Sequence, residues 1–118
     1  MAEPAFDTPG DDPHADVAQL LAELTEALQT ARRWQVQPPS PSALASPLPF
    51  CCDTLRFTEW LQWVFIPRTR ALIDAGAPLP KASAITPMAE EALRGCDWDT
   101  TPVIALMRRF DQLIAAVR

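Results

Sequence analysis

A chain of 118 residues, 48% apolar and 21% charged, has room for one modest hydrophobic core and one domain, in an ordinary globular balance. The net charge is −5, and seven carboxylates (Glu3, Asp7, Asp11, Asp12, Asp16, Glu23, Glu26) precede the first basic residue, Arg32; this argues against direct nucleic-acid binding, which calls for a clustered basic footprint. No apolar run exceeds five residues (Val103 to Met107), far below the roughly 20 that cross a bilayer, and the first residues lack a basic-then-hydrophobic signal layout, so the chain reads as cytoplasmic with no membrane partner.

Residues 1–11 carry Pro4, Pro9 and Gly10 among acids and are expected to form a flexible acidic tail, leaving 12–118 as a single helical domain. Asp12 before Pro13 is an N-cap followed by a first helical residue, where proline's missing N–H costs nothing. Val17, Leu20, Leu21, Leu24, Leu28, Ala31 and Trp34 recur at steps of three and four, which predicts an amphipathic helix over 13–35. Pro38, Pro39, Pro41, Pro47 and Pro49 then exclude a continuous helix or a central strand over 36–50 and predict a stiff, extended crossing loop.

A second amphipathic helix follows, with Phe57, Trp60, Leu61 and Val64 on one face and Glu59 and Gln62 pointing elsewhere. Pro67 removes the N–H that would reach Trp63, so the helix must kink there or restart. Gly76 is a plausible residue after its C-cap. Thr86–Pro87 predicts another capped start, for a short helix reaching Arg94 before Gly95, and Thr101–Pro102 a third, for a helix over 102–117 with Val103, Leu106, Met107, Phe110, Leu113, Ile114 and Val117 as its stripe. Nothing alternates as a strand would. The predicted class is all-α: a four-helix bundle with a long Pro-rich overhand loop between the first two helices and a Pro kink in the second.

Chemistry-bearing patterns are missing. Three glycines (Gly10, Gly76, Gly95) cannot build a phosphate-cradling loop, so no cofactor is implied. His14 is alone and reads as a solvated first-turn residue, and Cys51, Cys52 and Cys96 have no CxxC spacing, so no metal site is specified. The adjacent Cys51 and Cys52 read as small apolar fillers at the entrance to the second helix. Glu90 and Glu91 diverge by about 100° on a helix and cannot converge as an acid–base pair. Arg32 and Arg33 suit a helix C-terminus, and Arg108 and Arg109 read as solvated. The residues give no support for an enzyme.

The sharpest feature is "EWLQWVFIPR", residues 59–68. Trp60 and Trp63 diverge by about 60° on a helix, so both cannot be central core; Trp63 is either an edge anchor for a partner or part of a lid over the bundle. A straight helix would carry Arg68 onto the apolar face of Phe57, Leu61 and Val64, where it would need a partner. Either the break at Pro67 rotates it away, or it bonds a carboxylate such as Asp53 or main-chain carbonyls.

The string "DTLRFTEWLQWVFIPRTRALIDAGAPLP", residues 53–80, resembles the signature of the YqcC-like family of small bacterial proteins. The matching residues are Asp53, Thr54, Glu59, Trp60, Leu61, Gln62, Trp63, Ile66, Pro67, Arg68, Leu79 and Pro80, and a weaker likeness extends over 14–117. The family often has aromatic residues at the positions of Cys51 and Cys52 and a proline at that of Phe57. The resemblance implies a four-helix bundle and no catalytic residues; by gene association alone it implies an accessory part beside a transfer-RNA pseudouridine synthase. The expectation is therefore a non-enzymatic interaction module, monomer or homodimer, whose Glu59, Gln62, Trp63 and Arg68 dock a protein partner while Asp53, Trp60, Leu61 and Pro67 are structural. The alternative is a small-molecule or anion binder, or an enzyme, with a pocket near Pro67 and Arg68.

Overall fold

The computed structural model describes residues 12–116, and every regular element among them is helical. The expected acidic tail, 1–11, lies outside the described residues. Helix α1 spans Pro13–Thr30, and Asp12 caps it by accepting from the Ala15 N–H at 3.2 Å. It ends earlier than the apolar stripe suggests. Arg32 turns left-handed (φ 61°), and the Arg33 N–H closes back on the Leu28 carbonyl at 2.8 Å, so the chain leaves the helix before Trp34, which still packs on the core.

The connection that follows is not extended throughout. Ser40 caps a one-turn helix, α2 (Pro41–Leu44), and a 3₁₀ turn occupies Pro49–Cys51. Proline is permitted in the first turn of each because no helical donor is missing there. The Thr54 hydroxyl donates to the Ala43 carbonyl at 2.7 Å, tying the two turns together. Cys51 is buried with Leu55 and Val64 as an apolar filler, but Cys52 is exposed.

The second long helix begins with α3 (Phe57–Trp60), passes through a π-helical turn at Leu61–Phe65, and continues as α4 (Ile66–Asp74). In that turn the Ile66 N–H reaches the Leu61 carbonyl, five residues back, and the flanking φ/ψ values stay helical. The chain therefore changes register one residue before Pro67, so that the proline falls at the seam in the hydrogen-bond ladder. One inserted residue rotates everything beyond it by about 100°, which carries Arg68 off the buried face and into solvent.

Helices α5 (Ile85–Ala92) and α6 (Thr101–Ala116) complete the set. Helix α6 packs against α1 and α5, and α1 also meets α4. The core is built from Leu20, Leu24 and Leu28 of α1, Leu61 and Phe65 of the π turn, and Met107, Phe110 and Ile114 of α6. A ladder of rings runs from Phe50 through Trp60 (4.8 Å between centroids) and Phe65 (5.6 Å) to Phe110 (5.0 Å), joining the 3₁₀ turn to α6.

Four polar ties correct the sequence reading. His14 is not simply solvated: its Nε2 lies 2.7 Å from the Ala77 carbonyl, joining the start of α1 to the end of α4. Arg109 pairs with Glu23 through two hydrogen bonds, 3.2 and 2.9 Å, and Arg108 meets Glu90 at 3.0 Å. Helix α5 starts at Ile85, one residue before the expected cap, because Asp111 of α6 accepts from the Ile85 and Thr86 N–H groups at 3.0 and 2.9 Å and from the Thr86 and Ser83 hydroxyls. Its acceptors do for α5 what a local N-cap side chain would otherwise do.

Desolvation raises the Asp111 pKa, but hydrogen bonds from Ser83, Thr86 and Ile85 outweigh it and hold the carboxyl below its ordinary value of 3.8. A carboxyl lowered on folding contributes stability that is full well above its unfolded pKa and is lost as pH falls through the folded one. Asp111→Asn should therefore cost about 2 kcal/mol at pH 7, since a neutral amide replaces a charged four-bond acceptor. Urea unfolding at pH 7, 5 and 3 checks this: the gap between variant and wild type should shrink below about pH 4, and a gap constant with pH would contradict the capping role.

Candidate functional site

Glu59, Gln62 and Trp63 of the 59–68 segment turn their polar groups inward, onto a residue that the sequence pattern does not single out. Gln35, five residues past the end of α1, donates its backbone N–H to the Gln62 side-chain oxygen at 2.8 Å. Its carbonyl accepts from the Gln62 amide nitrogen at 2.7 Å. The Gln62 side chain thus pairs with the Gln35 backbone as a neighbouring strand would, and it is only 4% exposed. The Gln35 side chain is equally occupied: its Nε2 donates to Glu59 at 2.8 Å, and its Oε1 accepts from the Trp63 indole N–H at 2.9 Å. Glu59 also accepts the Arg56 N–H at 2.7 Å and so fastens the start of α3.

This clasp revises the docking set. Gln62 does not point away from the buried face; it is buried and both ends of its amide are used. Glu59 and Trp63 are half-buried and tied to the same loop residue. Asp53 accepts from Ser46 within the connection and is not a partner of Arg68. Trp60 sits between the main core and the Cys51 cluster, and Leu61 is fully buried. Arg68 is exposed and has no hydrogen bond or ion pair among the described residues. It borders a groove of about 450 Å³ with Trp60, Val64, Leu72, Pro80 and Ala82, a mostly apolar wall with one cation at its edge.

The signal for the clasp was present but easily misread. Thr58, Gln62, Ile66 and Thr69 follow one another at steps of four, four and three, and all four are buried, so they form a second inward stripe beside Phe57, Leu61 and Val64. A buried glutamine must find partners, and these lie 27 residues earlier in sequence, in a loop.

The two roles separate on mutation. Gln62→Leu leaves the Gln35 N–H and C=O without partners in a half-buried site and should cost about 2 kcal/mol, whereas Arg68→Ala should change stability by less than about 0.5 kcal/mol. Chemical denaturation of both variants measures this; equal, small effects would show that the clasp contributes nothing.

The fold and the clasp together define a small all-helical protein in which a polar seam holds a proline-rich loop against the second long helix. A family model described as "DUF446: tRNA pseudouridine synthase C" matches residues 16–113. Protein YqcC of Escherichia coli is 36% identical over 102 residues, 86% of this chain and 94% of that protein. An uncharacterized protein of Haemophilus influenzae is 46% identical over 76 residues, 64% of this chain and 72% of its own length. The solution NMR structure of E. coli YqcC superposes with a TM-score of 0.78 at 34% identity, covering 90% of this chain and 92% of that one. The chain belongs to the YqcC-like family. A Pectobacterium carotovorum protein named tRNA pseudouridine synthase C is also 46% identical over 66 residues; the match spans 56% of this chain but only 18% of that protein. No helix among the described residues is long and apolar enough to cross a membrane.

Proposed function

We propose that this chain is a non-enzymatic docking module, a four-helix bundle closed by the Gln35–Gln62 clasp, that binds a transfer-RNA pseudouridine synthase. One observation carries the reading: a stretch 46% identical to this chain occupies 18% of a protein named tRNA pseudouridine synthase C. A module joined covalently to a much longer chain acts at high effective concentration, about millimolar for short linkers, so its docking surface needs only modest affinity for the rest of that chain.

The groove beside Arg68 is the surface that suits this role. Its wall of Trp60, Val64, Leu72 and Pro80 offers apolar area, and Arg68 is free to meet a carboxylate of the partner. Trp63 is half-buried and held at the edge of the helix by Gln35, while Glu59 and Gln62 act from behind by fixing the loop. In this reading the docking contacts are Arg68 and the rim of Trp63, and the other two expected contacts support them.

Affinity capture of the pseudouridine synthase on the immobilised chain tests the proposal. Wild type should retain the enzyme, and Arg68→Ala, which stays folded, should weaken retention at least tenfold. Failure of the wild type to retain the purified synthase would remove the proposal.

A further inference from the structure

A second cavity, on the side of the molecule bordered by Arg33, is built differently from the groove at Arg68. It encloses about 510 Å³ between the connection, the start of α3 and the end of α5, and its walls include Phe50, Phe57, Leu93 and Trp98 with Arg33 and Arg56. That volume lies within the range of about 300–1,000 Å³ typical of small-molecule sites, which are mostly apolar with a few placed polar groups.

Arg33 is the unusual member. Its Nε is buried and has no hydrogen-bond partner. The guanidinium carbon stands 5.3 Å from the centre of the Trp98 ring, and its NH2 nitrogen is 3.8 Å from Asp97, whose side chain is 96% exposed. That pair is long and solvent-screened, so it competes weakly for the guanidinium. With its inner nitrogen left unpaired, the Arg33 guanidinium is not tied up by the protein's own acceptors. The side chain as a whole is 35% exposed, so a carboxylate in the cavity can reach the terminal nitrogens, the planar fork that arginine offers to a bidentate partner. Arg56 makes no side-chain hydrogen bond among the described residues and supplies a second cation at the same wall.

The backbone around this cavity is strained. The three non-glycine residues with positive φ among the described residues are Arg32, Phe50 and Cys51. Phe50 lines the cavity, Arg32 precedes Arg33, and Cys51 precedes Cys52, another wall residue. Each such conformation is unfavourable for a residue that carries a Cβ, and such residues cluster where a site must be held in shape. Here they fix the loop that carries Arg33 and the ring of Phe50.

We infer that this cavity is a binding site for a small organic carboxylate with a flat apolar body, its carboxylate on Arg33 and Arg56 and its ring among Trp98, Phe50 and Phe57. Asp97 against two arginines leaves a net positive wall, which suits a single negative charge.

The test uses the full chain labelled with ¹⁵N and two probes of one shape, naphthalene-2-carboxylate and naphthalene-2-methanol. Titration followed by NMR reads the Arg33 Nε–H and Trp98 indole N–H signals directly. The carboxylate should move both and bind at least tenfold tighter than the alcohol; Arg33→Met should lose that preference, and Arg70→Met, at an exposed position outside the cavity, should keep it. Equal binding of the two probes, shifts confined to other residues, or no shift at millimolar carboxylate would each overturn the inference, and the comparison on wild type decides it even if Arg33→Met does not fold.

Discussion

The amide of Gln62 sets the conditions under which the rest of the molecule is arranged. Because it pairs with both backbone groups of Gln35, a proline-rich segment with little regular structure of its own is held at a fixed height along the second long helix. From that anchor Gln35 reaches Glu59 and Trp63, so three polar members of the 59–68 motif act on a single loop residue. A buried amide with all its groups satisfied is specific in a way that apolar contact is not, since a shift of one residue along the helix would leave several donors and acceptors unpaired.

The same economy governs the other ends of the helices. Asp111 supplies from α6 the acceptors that the start of α5 lacks, and Arg109 grips Glu23 across from α1. The arginine's hydrogen bonds lower the Glu23 carboxyl, and Glu23 in turn raises Arg109, although both are open to solvent and such a pair is worth little in stability. These contacts orient α6 against two partners, and the aromatic ladder from Phe50 to Phe110 ties α6 to the second long helix and the 3₁₀ turn. The register change before Pro67 completes the arrangement: it keeps Phe65 and Ile66 in the core while turning Arg68 out.

What could be read from the sequence was local. The Asp12–Pro13 cap, the inward leucines of α1 and the stripe of α6 depend on neighbours within one or two turns, and they were legible for that reason. Thr86–Pro87 looked like an equally good cap, yet the helix begins at Ile85 because Asp111 lies 25 or 26 residues away and leaves no local mark. Gln62 falls on the polar face of the sequence pattern because periodicity counts glutamine as a solvent residue; only its partner in the loop makes burial tolerable. Arg68 remained ambiguous because a proline inside a helix signals a break without saying which way the chain will turn. The left-handed Arg32 was invisible, since nothing in an arginine advertises positive φ.

The central claim is that the polar residues of the motif hold the loop in place, and amide hydrogen exchange at Gln35 tests it most directly. If the clasp holds, the Gln35 amide should exchange nearly as slowly as the amides of α1, although its neighbour Val36 is 91% exposed. A Gln35 amide exchanging as fast as that of Val36 would mean that the loop detaches freely, and the motif would need another explanation.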